Sequence, residues 1–243
     1  VRPADRLAIV IPAKRLAEAK SRLDLPDPVR REVAQHLLSN TVATAMGCRD
    51  VSSVTVVTSD PVLAAITIAL GADVVPEPER AGLCAALDRG REHALRSRVD
   101  AIGLLMADLP AITAEDLTAV HREFRDTGGP AMVRDLVGTG TTMVIHPSDQ
   151  QPSLLFGPDS AARHAAVGYR LIAEGLTRLR HDLDTVADIT DEVSELVFGA
   201  IVRDATAGDP CPIGPTPIPE TTGPEHRPMR RLLCTTGALA RPA

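Results

Sequence analysis

The sequence predicts an α/β fold built on a parallel sheet, and three observations carry that expectation. From Leu7 to about Thr127, short β-branched runs of strand length alternate with segments of helical spacing. One run, Ala101 to Met106, is apolar on both faces, the mark of a central parallel strand covered by helices on each side. The strand ends are punctuated by Ser59-Asp60-Pro61 and Asp108-Leu109-Pro110, polar and proline signals that stop one element and open the next.

Leu7 to Ile11 is the first apolar run, and Val54 to Val57, after Ser52-Ser53, is the second. Between them Asp27-Pro28 reads as an N-cap with proline at the first helical position, and Val29, Val33, Leu37, Val42 and Ala45 keep helical spacing to Gly47. Pro61 opens a helix to Leu70, and Gly71 ends it before a short strand, Asp73 to Val75. Gly82 to Arg96 reads as a helix, followed by the central strand. Thr113 with Asp116 three residues on resembles a capping box for a helix to about Thr127. The rhythm then changes. Met132 to Arg134, Thr141 to Ile145 and Ser153 to Phe156 are strand-like pieces joined by Gly-rich or polar turns, and Ser160 to Glu174 and Val186 to Phe198 read as two further helices. These elements make one domain over residues 1–203. Residues 204–243 turn to Pro, Gly and Thr and are expected to be poorly ordered, apart from a possible short element over Met229 to Ala240. No internal repeat is visible.

Composition narrows the function. The apolar content rests on Ala, Val, Leu and Ile, with three Phe, one Tyr and no Trp, so recognition by aromatic stacking is nearly unavailable. Together with a net charge of -6 this argues against a nucleic-acid binder, which needs a basic surface and stacking side chains. No apolar run approaches a membrane span of about 20 residues, and no signal-peptide pattern is present, so a soluble, cytoplasmic protein is expected. Cys48, Cys84, Cys211 and Cys234 lack metal or disulfide spacing and read as reduced thiols.

The chemistry concentrates in Pro12 to Leu23. All but two of the 26 basic residues in the chain are arginine, and both lysines, Lys14 and Lys20, fall in this loop beside Arg15 and Arg22. A compact ammonium suits a point-charge contact to phosphate oxygens, although a solvated loop would carry the same charges. The first glycine of the chain is Gly47, so neither a P-loop nor a Gly-x-Gly-x-x-Gly turn can follow the first strand. Side-chain cations must do more of the holding. In an open α/β sheet ligands bind beyond the carboxyl ends of the strands, which places this loop, Asp60, Glu77 and Asp108 on one rim. Carboxylates facing cations are the layout of a magnesium-nucleotide site, and Mg2+ needs only one or two of them besides phosphate and water. Asp108 supplies one, unless it merely caps a turn. Asp182 and Asp184 are spaced to point to one side of an extended segment; one is expected to bind metal and the other to cap the helix that follows, a role open to Thr185 as well. Gly138-Thr139-Gly140-Thr141-Thr142 and Phe156-Gly157-Pro158-Asp159-Ser160 are anion-site candidates through backbone amides and hydroxyls, or else a hairpin turn and a plain cap. Arg163 and His164 are weaker candidates.

Taken in order, Pro12 to Leu23, Gly82-Leu83, Asp108-Leu109-Pro110, Gly138 to Thr142, Phe156-Gly157-Pro158 through His164, and Asp182-Leu183-Asp184-Thr185 closely resemble the guanylyltransferases of deazaflavin coenzyme (coenzyme F-420) biosynthesis. These are described, by lineage, as 2-phospho-L-lactate or phosphoenolpyruvate guanylyltransferases. The resemblance spans about residues 7 to 200. It implies a Rossmann-like nucleotidyltransferase fold of the nucleotide-diphospho-sugar transferase type, with a mixed, mostly parallel sheet and an antiparallel insertion. It further implies Mg2+ and two substrates, GTP and a small phosphorylated C3 acid, joined with loss of pyrophosphate, and a product suited to hand-over to a downstream transferase. Thr142, Gly157 and Ser160 would hold the acid; Pro12, Lys14, Lys20, Gly82 and Asp108 the nucleotide; Asp108 and Asp182 or Asp184 the metal; and Lys14, Lys20 and Arg22 would neutralise charge during transfer. Two departures stand out: Cys84 where the family usually has Asn, and Asp159 where it commonly has Gly. The competing readings are a nucleotidyltransferase for a sugar phosphate or a molybdenum-cofactor precursor, and a non-catalytic nucleotide-binding relative.

Overall fold

The computed structural model describes residues 6–77 and 82–202. The expected tail and the segment Met229 to Ala240, with Cys211 and Cys234, lie outside the described residues.

Among the described residues seven strands form one sheet in the order β3-β2-β1-β4-β6-β5-β7. They are β1 (Leu7–Pro12), β2 (Val51–Val57), β3 (Asp73–Val75), β4 (Ala101–Leu105), β5 (Ala131–Arg134), β6 (Thr141–Pro147) and β7 (Arg170–Leu171). Neighbours run parallel except that β6 is antiparallel to both β4 and β5. The reversal brings the start of β6 to the same rim as the carboxyl ends of the other strands, and Met106 N–H bonds Thr142 O at 2.9 Å just before Asp108.

β1 shows why the sheet is buried on both faces. Leu7, Ile9 and Ile11 point into one apolar cluster, with α1 (Asp27–Gly47), α2 (Pro61–Ala69) and α4 (Ala114–Arg125), while Ala8 and Val10 point into another with α3 (Gly82–Ala94). α3 presses close to the sheet at Gly90, where a Cβ would stand 2.3 Å from Val10 Cγ1 and 2.7 Å from Val57 Cγ2. A third cluster joins Leu23, from the end of the first loop, and Leu183 to Val29, Val33 and Leu37 of α1 and to Val193, Val197 and Phe198 of the last turns. No helix among the described residues is long and apolar enough to cross a membrane.

Several expected elements are corrected. Ser153 to Phe156 is not a strand; side chains take up its carbonyls, with Tyr169 Oη donating to Ser153 O at 3.0 Å and Arg163 to Phe156 O at 2.7 Å. The helix from Ser160 stops at Ala166 as α5 (Ser160–Ala166), because Gly168 takes φ +96°, Gly168 N–H bonds Ala165 O and Tyr169 N–H bonds His164 O. That is a Schellman stop, and the chain turns into β7. After a one-turn α6 (Thr177–Arg180), the last helix is broken into a 3-10 turn (Val186–Asp188), α7 (Asp191–Val193) and a wide π turn (Ser194–Phe198). Thr190 caps afresh in the middle, accepting Val193 N–H at 3.2 Å. Asp27 does not cap α1: it lies in the first turn and pairs with Arg30 and Arg31. The Thr113–Asp116 capping box of α4 is present as expected.

Candidate functional site

The loop after β1 is pinned at both ends. Ala13 N–H bonds Val57 O at 2.9 Å, and Leu16 N–H donates to Asp60 Oδ2 at 2.9 Å. Asp60 is also the N-cap of α2, accepting Val62 and Leu63 N–H, so this rim carboxylate is spent on structure; these amide bonds hold its pKa below the ordinary value against the opposing effect of burial. At the far end Arg30 of α1 donates to Ala19 O at 2.8 Å, and Leu23 is buried.

Between these anchors Lys20 adopts φ +53°, a left-handed conformation that a lysine rarely takes. The turn aims its ammonium inward. Lys20 Nζ lies 2.8 Å from Asp108 Oδ2 and 3.3 Å from Asp184 Oδ1, with the side chain 10% exposed. Burial opposes the charge on Lys20, but the two carboxylates outweigh it and hold the pKa above the ordinary lysine value. Arg22 Nη1 reaches Asp184 Oδ2 at 3.5 Å from an exposed position. Lys14 is exposed on the same loop.

Asp182 completes the acidic half. Leu183 N–H bonds Asp108 O at 2.9 Å, which lays the segment 182–184 alongside the end of β4. Burial, then the charges of Asp108, Asp184 and Asp135, raise the Asp182 pKa to about 7, against a backbone hydrogen bond that lowers it. Asp108 Oδ1 is buried without a hydrogen-bond partner among the described residues. A facing carboxylate and an orphaned carboxylate oxygen, both hard oxygen donors, fit a divalent cation. No group of three or more His, Cys, Asp or Glu among the described residues is arranged to hold a metal alone, so phosphate oxygens and water would have to complete the shell. Neither Asp182 nor Asp184 caps the following turn; Thr185 and Asp188 form that capping box themselves, and Asp188 Oδ2 also accepts Asp184 N–H at 3.0 Å.

The acid-loop candidates lie on the same rim, but the amides of Gly138-Thr139-Gly140 are already taken. Asp135, at the end of β5, accepts the N–H of Gly138 and of Thr139 (3.0 Å) on Oδ1 and that of Gly140 (2.8 Å) on Oδ2. The expectation that these amides stand free for a substrate anion is corrected. Thr142 is buried, its hydroxyl directed at Val133 O at 3.4 Å. Ser160 is the first residue of α5 rather than its cap, and its buried hydroxyl donates to Thr141 Oγ1 at 3.0 Å. Thr141 Oγ1 meets His164 Nδ1 at 3.1 Å, and His164 Nε2 faces Leu155 N–H at 3.0 Å. An imidazole that accepts an amide hydrogen on Nε2 carries its proton on Nδ1. Burial and the neighbouring Arg163 push the His164 pKa down to about 4, against a bond to the Ser160 backbone, so the ring is a neutral strut packed between Phe156 and Tyr169. Gly157 is exposed at φ +113°.

Residues 13–186 match the MobA-like NTP transferase domain. The chain is 42% identical over 187 residues to the phosphoenolpyruvate guanylyltransferase of Thermomonospora curvata, covering 75% of this chain and 81% of that protein. It is 37% identical over 202 residues to the enzyme of the same name from Streptomyces coelicolor, covering 81% and 93%. The chain belongs to the phosphoenolpyruvate guanylyltransferase family. Among solved structures it is similar to a nucleotide-diphospho-sugar transferase homologue from Desulfovibrio desulfuricans, with TM-score 0.60, 13% identity and 83% and 95% of the two chains covered. A cytidylyltransferase from Leptospira borgpetersenii follows, with TM-score 0.50, 14% identity and 84% and 94% covered. These distant structures share the fold; through its family the chain is a nucleotidyltransferase.

Within that family the two departures take a physical form. Asp159 sits at the N-cap position of α5 with φ +54°, a left-handed backbone that favours glycine and that aspartate tolerates better than most residues; the residue is exposed. Cys84 is a half-buried free thiol on the first turn of α3. Gly82 begins that helix at φ +79° with open space where a Cβ would project, and Pro12 closes β1. Sequence reasoning missed Asp135, whose role is written only in the fold, although an aspartate three residues before Gly-Thr-Gly is the signal that could have found it. It also missed Arg180, which donates to the carbonyls of Arg134, Asp135 and Glu174, and Arg178, which pairs with the buried carboxylate of Asp116 at 3.2 Å.

Proposed function

We propose that this chain transfers GMP from GTP to the phosphate of a small phosphorylated C3 acid, phosphoenolpyruvate in the first place and 2-phospho-L-lactate next, with release of pyrophosphate. The observation that carries the reading is the cluster of Lys20, Asp108, Asp182 and Asp184 on the same rim as Thr142 and Ser160, in a chain whose relatives bear the guanylyltransferase name.

An oxygen of the acid's phosphate attacks the α-phosphorus of GTP; a P–O bond forms there, and the bond from the α-phosphorus to the bridging oxygen breaks, sending the electron pair out with pyrophosphate. The attacking oxygen is anionic near neutral pH, so no general base is required. The work left to the protein is positioning and neutralisation of charge. Lys20 takes the inner position and Lys14 and Arg22 the exposed flank of the loop, neutralising charge on the α-phosphate and the departing pyrophosphate. Pro12 and Gly82 border the nucleotide. Asp108 and Asp182 would hold Mg2+, which when bound neutralises phosphate oxygens; Asp184, already tied to Lys20 and Arg22, orients the cations instead. Thr142, Gly157 and Ser160 hold the acid. The activated diphosphate product suits hand-over to a downstream transferase in coenzyme F-420 biosynthesis in the cytoplasm.

A panel of nucleoside triphosphates against phosphoenolpyruvate, 2-phospho-L-lactate and sugar phosphates, read by pyrophosphate release with and without Mg2+, tests the reading. Release with GTP and a C3 acid supports it. Release with a sugar phosphate assigns the chain to that other branch of nucleotidyltransferases, and nucleotide binding without release removes the catalytic claim.

A further inference from the structure

Three consecutive amides converging on one anion form a nest, a device by which proteins hold a ligand's phosphate or carboxylate. In Gly138-Thr139-Gly140 the anion is internal. Asp135 is buried, at 8% exposure, and its two carboxylate oxygens between them accept all three N–H groups, charge-assisted bonds of the stronger kind. Its own backbone is fixed on both sides: Asp135 N–H bonds Gly140 O at 3.1 Å, and Asp135 O accepts Arg180 Nη2 at 3.0 Å. The loop so closed carries the acid-site candidates. Thr139 O receives Ala161 N–H at 3.0 Å, which docks the first turn of α5 and with it Ser160, and Thr141 and Thr142 follow directly into β6. Space is exhausted around the carboxylate, since a Cβ on Gly140 would stand 2.5 Å from Asp135 Oδ2.

We propose that Asp135 is the positioning residue of the acid subsite: its carboxylate fills the amide nest in place of a substrate anion and fixes the loop that presents Thr141, Thr142 and Ser160. The proposal rests on the guanylyl transfer argued above. It follows that the substrate does not draw on these amides and is selected by the side chains the closed loop holds in place. Asn at position 135 keeps the shape but turns an N–H2 group toward one of the amides, so one side of the nest opens.

Steady-state pyrophosphate release with Mg2+, varying GTP and phosphoenolpyruvate in turn, separates the possibilities. Asp135→Asn should raise the KM for phosphoenolpyruvate about tenfold or more while the KM for GTP stays within about twofold. Gly140→Ala should do the same by steric conflict, and Asp135→Ala with Gly140→Ala should be no worse than Asp135→Ala alone, because the conflict leaves with the carboxylate. Amide hydrogen exchange gives the companion readout: Gly138, Thr139 and Gly140 stay protected when phosphoenolpyruvate saturates the wild type and lose protection in Asp135→Ala. Equal changes in both KM values, unchanged KM values, or additive effects in the double variant would overturn the positioning role, as would free nest amides in the wild type. A wild type that releases no pyrophosphate with any C3 acid instead removes the guanylyl-transfer reading, and with it the acid subsite on which this role depends.

Discussion

At Lys20 a strained backbone and a buried charge coincide. A left-handed lysine costs about 1 to 2 kcal/mol in backbone energy, and the fold keeps it there because the ammonium so placed meets Asp108 and Asp184. Substituting Lys20→Ala should lower turnover by about two orders of magnitude or more, as removal of one charge-stabilising donor does in other active sites, while circular dichroism shows the fold retained. Full activity in that variant would refute the role given to the loop. Asp159 is the opposite case, a side chain on a backbone better suited to glycine. Asp159→Gly should leave stability unchanged or raise it by up to about 1 kcal/mol in urea unfolding, and a clear loss would mean that the carboxylate makes a contact the backbone argument ignores. His164 tests the buried network. Its folded pKa of about 4 lies below the ordinary 6.5 of histidine, so between those values the unfolded chain binds a proton that the folded ring refuses. Its contribution to stability is therefore complete above about pH 6.5 and lost as pH falls toward 4. NMR titration should find this ring still neutral at pH 5.5, where exposed histidines are charged; a midpoint near 6.5 would contradict the packing described.

The elements show where local sequence rules suffice and where they fail. The parallel half was legible because its strands are apolar runs and two of its helices carry their own start signals: Asp60-Pro61 for α2, and Thr113 with Asp116 for α4. The second half was misread at segments whose fate depends on distant partners. Ser153 to Phe156 has strand composition, but Tyr169 and Arg163 satisfy its carbonyls and no strand among the described residues pairs with it. The α5 stop at Gly168 and the fresh cap at Thr190 were present in the sequence as ordinary punctuation, but each segment was read through as one continuous helix. The site divides the same way. Lys20 and Asp108 followed from the rule that ligands gather at strand carboxyl ends, whereas the pairing of Asp184 with two cations and the filling of the glycine loop by Asp135 require segments far apart in sequence to meet. Helix placement itself is testable at α3. Gly90→Ala forces a methyl group against Val10 and Val57 and should cost about 1 to 3 kcal/mol by urea unfolding; no cost would mean that α3 does not lie so close to the sheet.

Across the described residues, the reversal of β6 organises the candidate site. Because β6 runs against β4 and β5, its start at Thr141 stands beside the end of β4 and the loop leaving β5, so the acid candidates meet the Lys20, Asp108 and Asp182 cluster on one rim. The third apolar cluster then ties Leu23, at the end of the cationic loop, and Leu183, between the two acidic residues Asp182 and Asp184, to α1 and the last turns. The central claim is that this rim joins two phosphates. Phosphorus NMR of the protein with GTP, phosphoenolpyruvate and Mg2+ measures that directly. Two mutually coupled resonances from one unsymmetrical diphosphate should appear together with pyrophosphate, and only when all three components are present; GDP with inorganic phosphate, or pyrophosphate with free GMP, would show that the rim does not join the two phosphates.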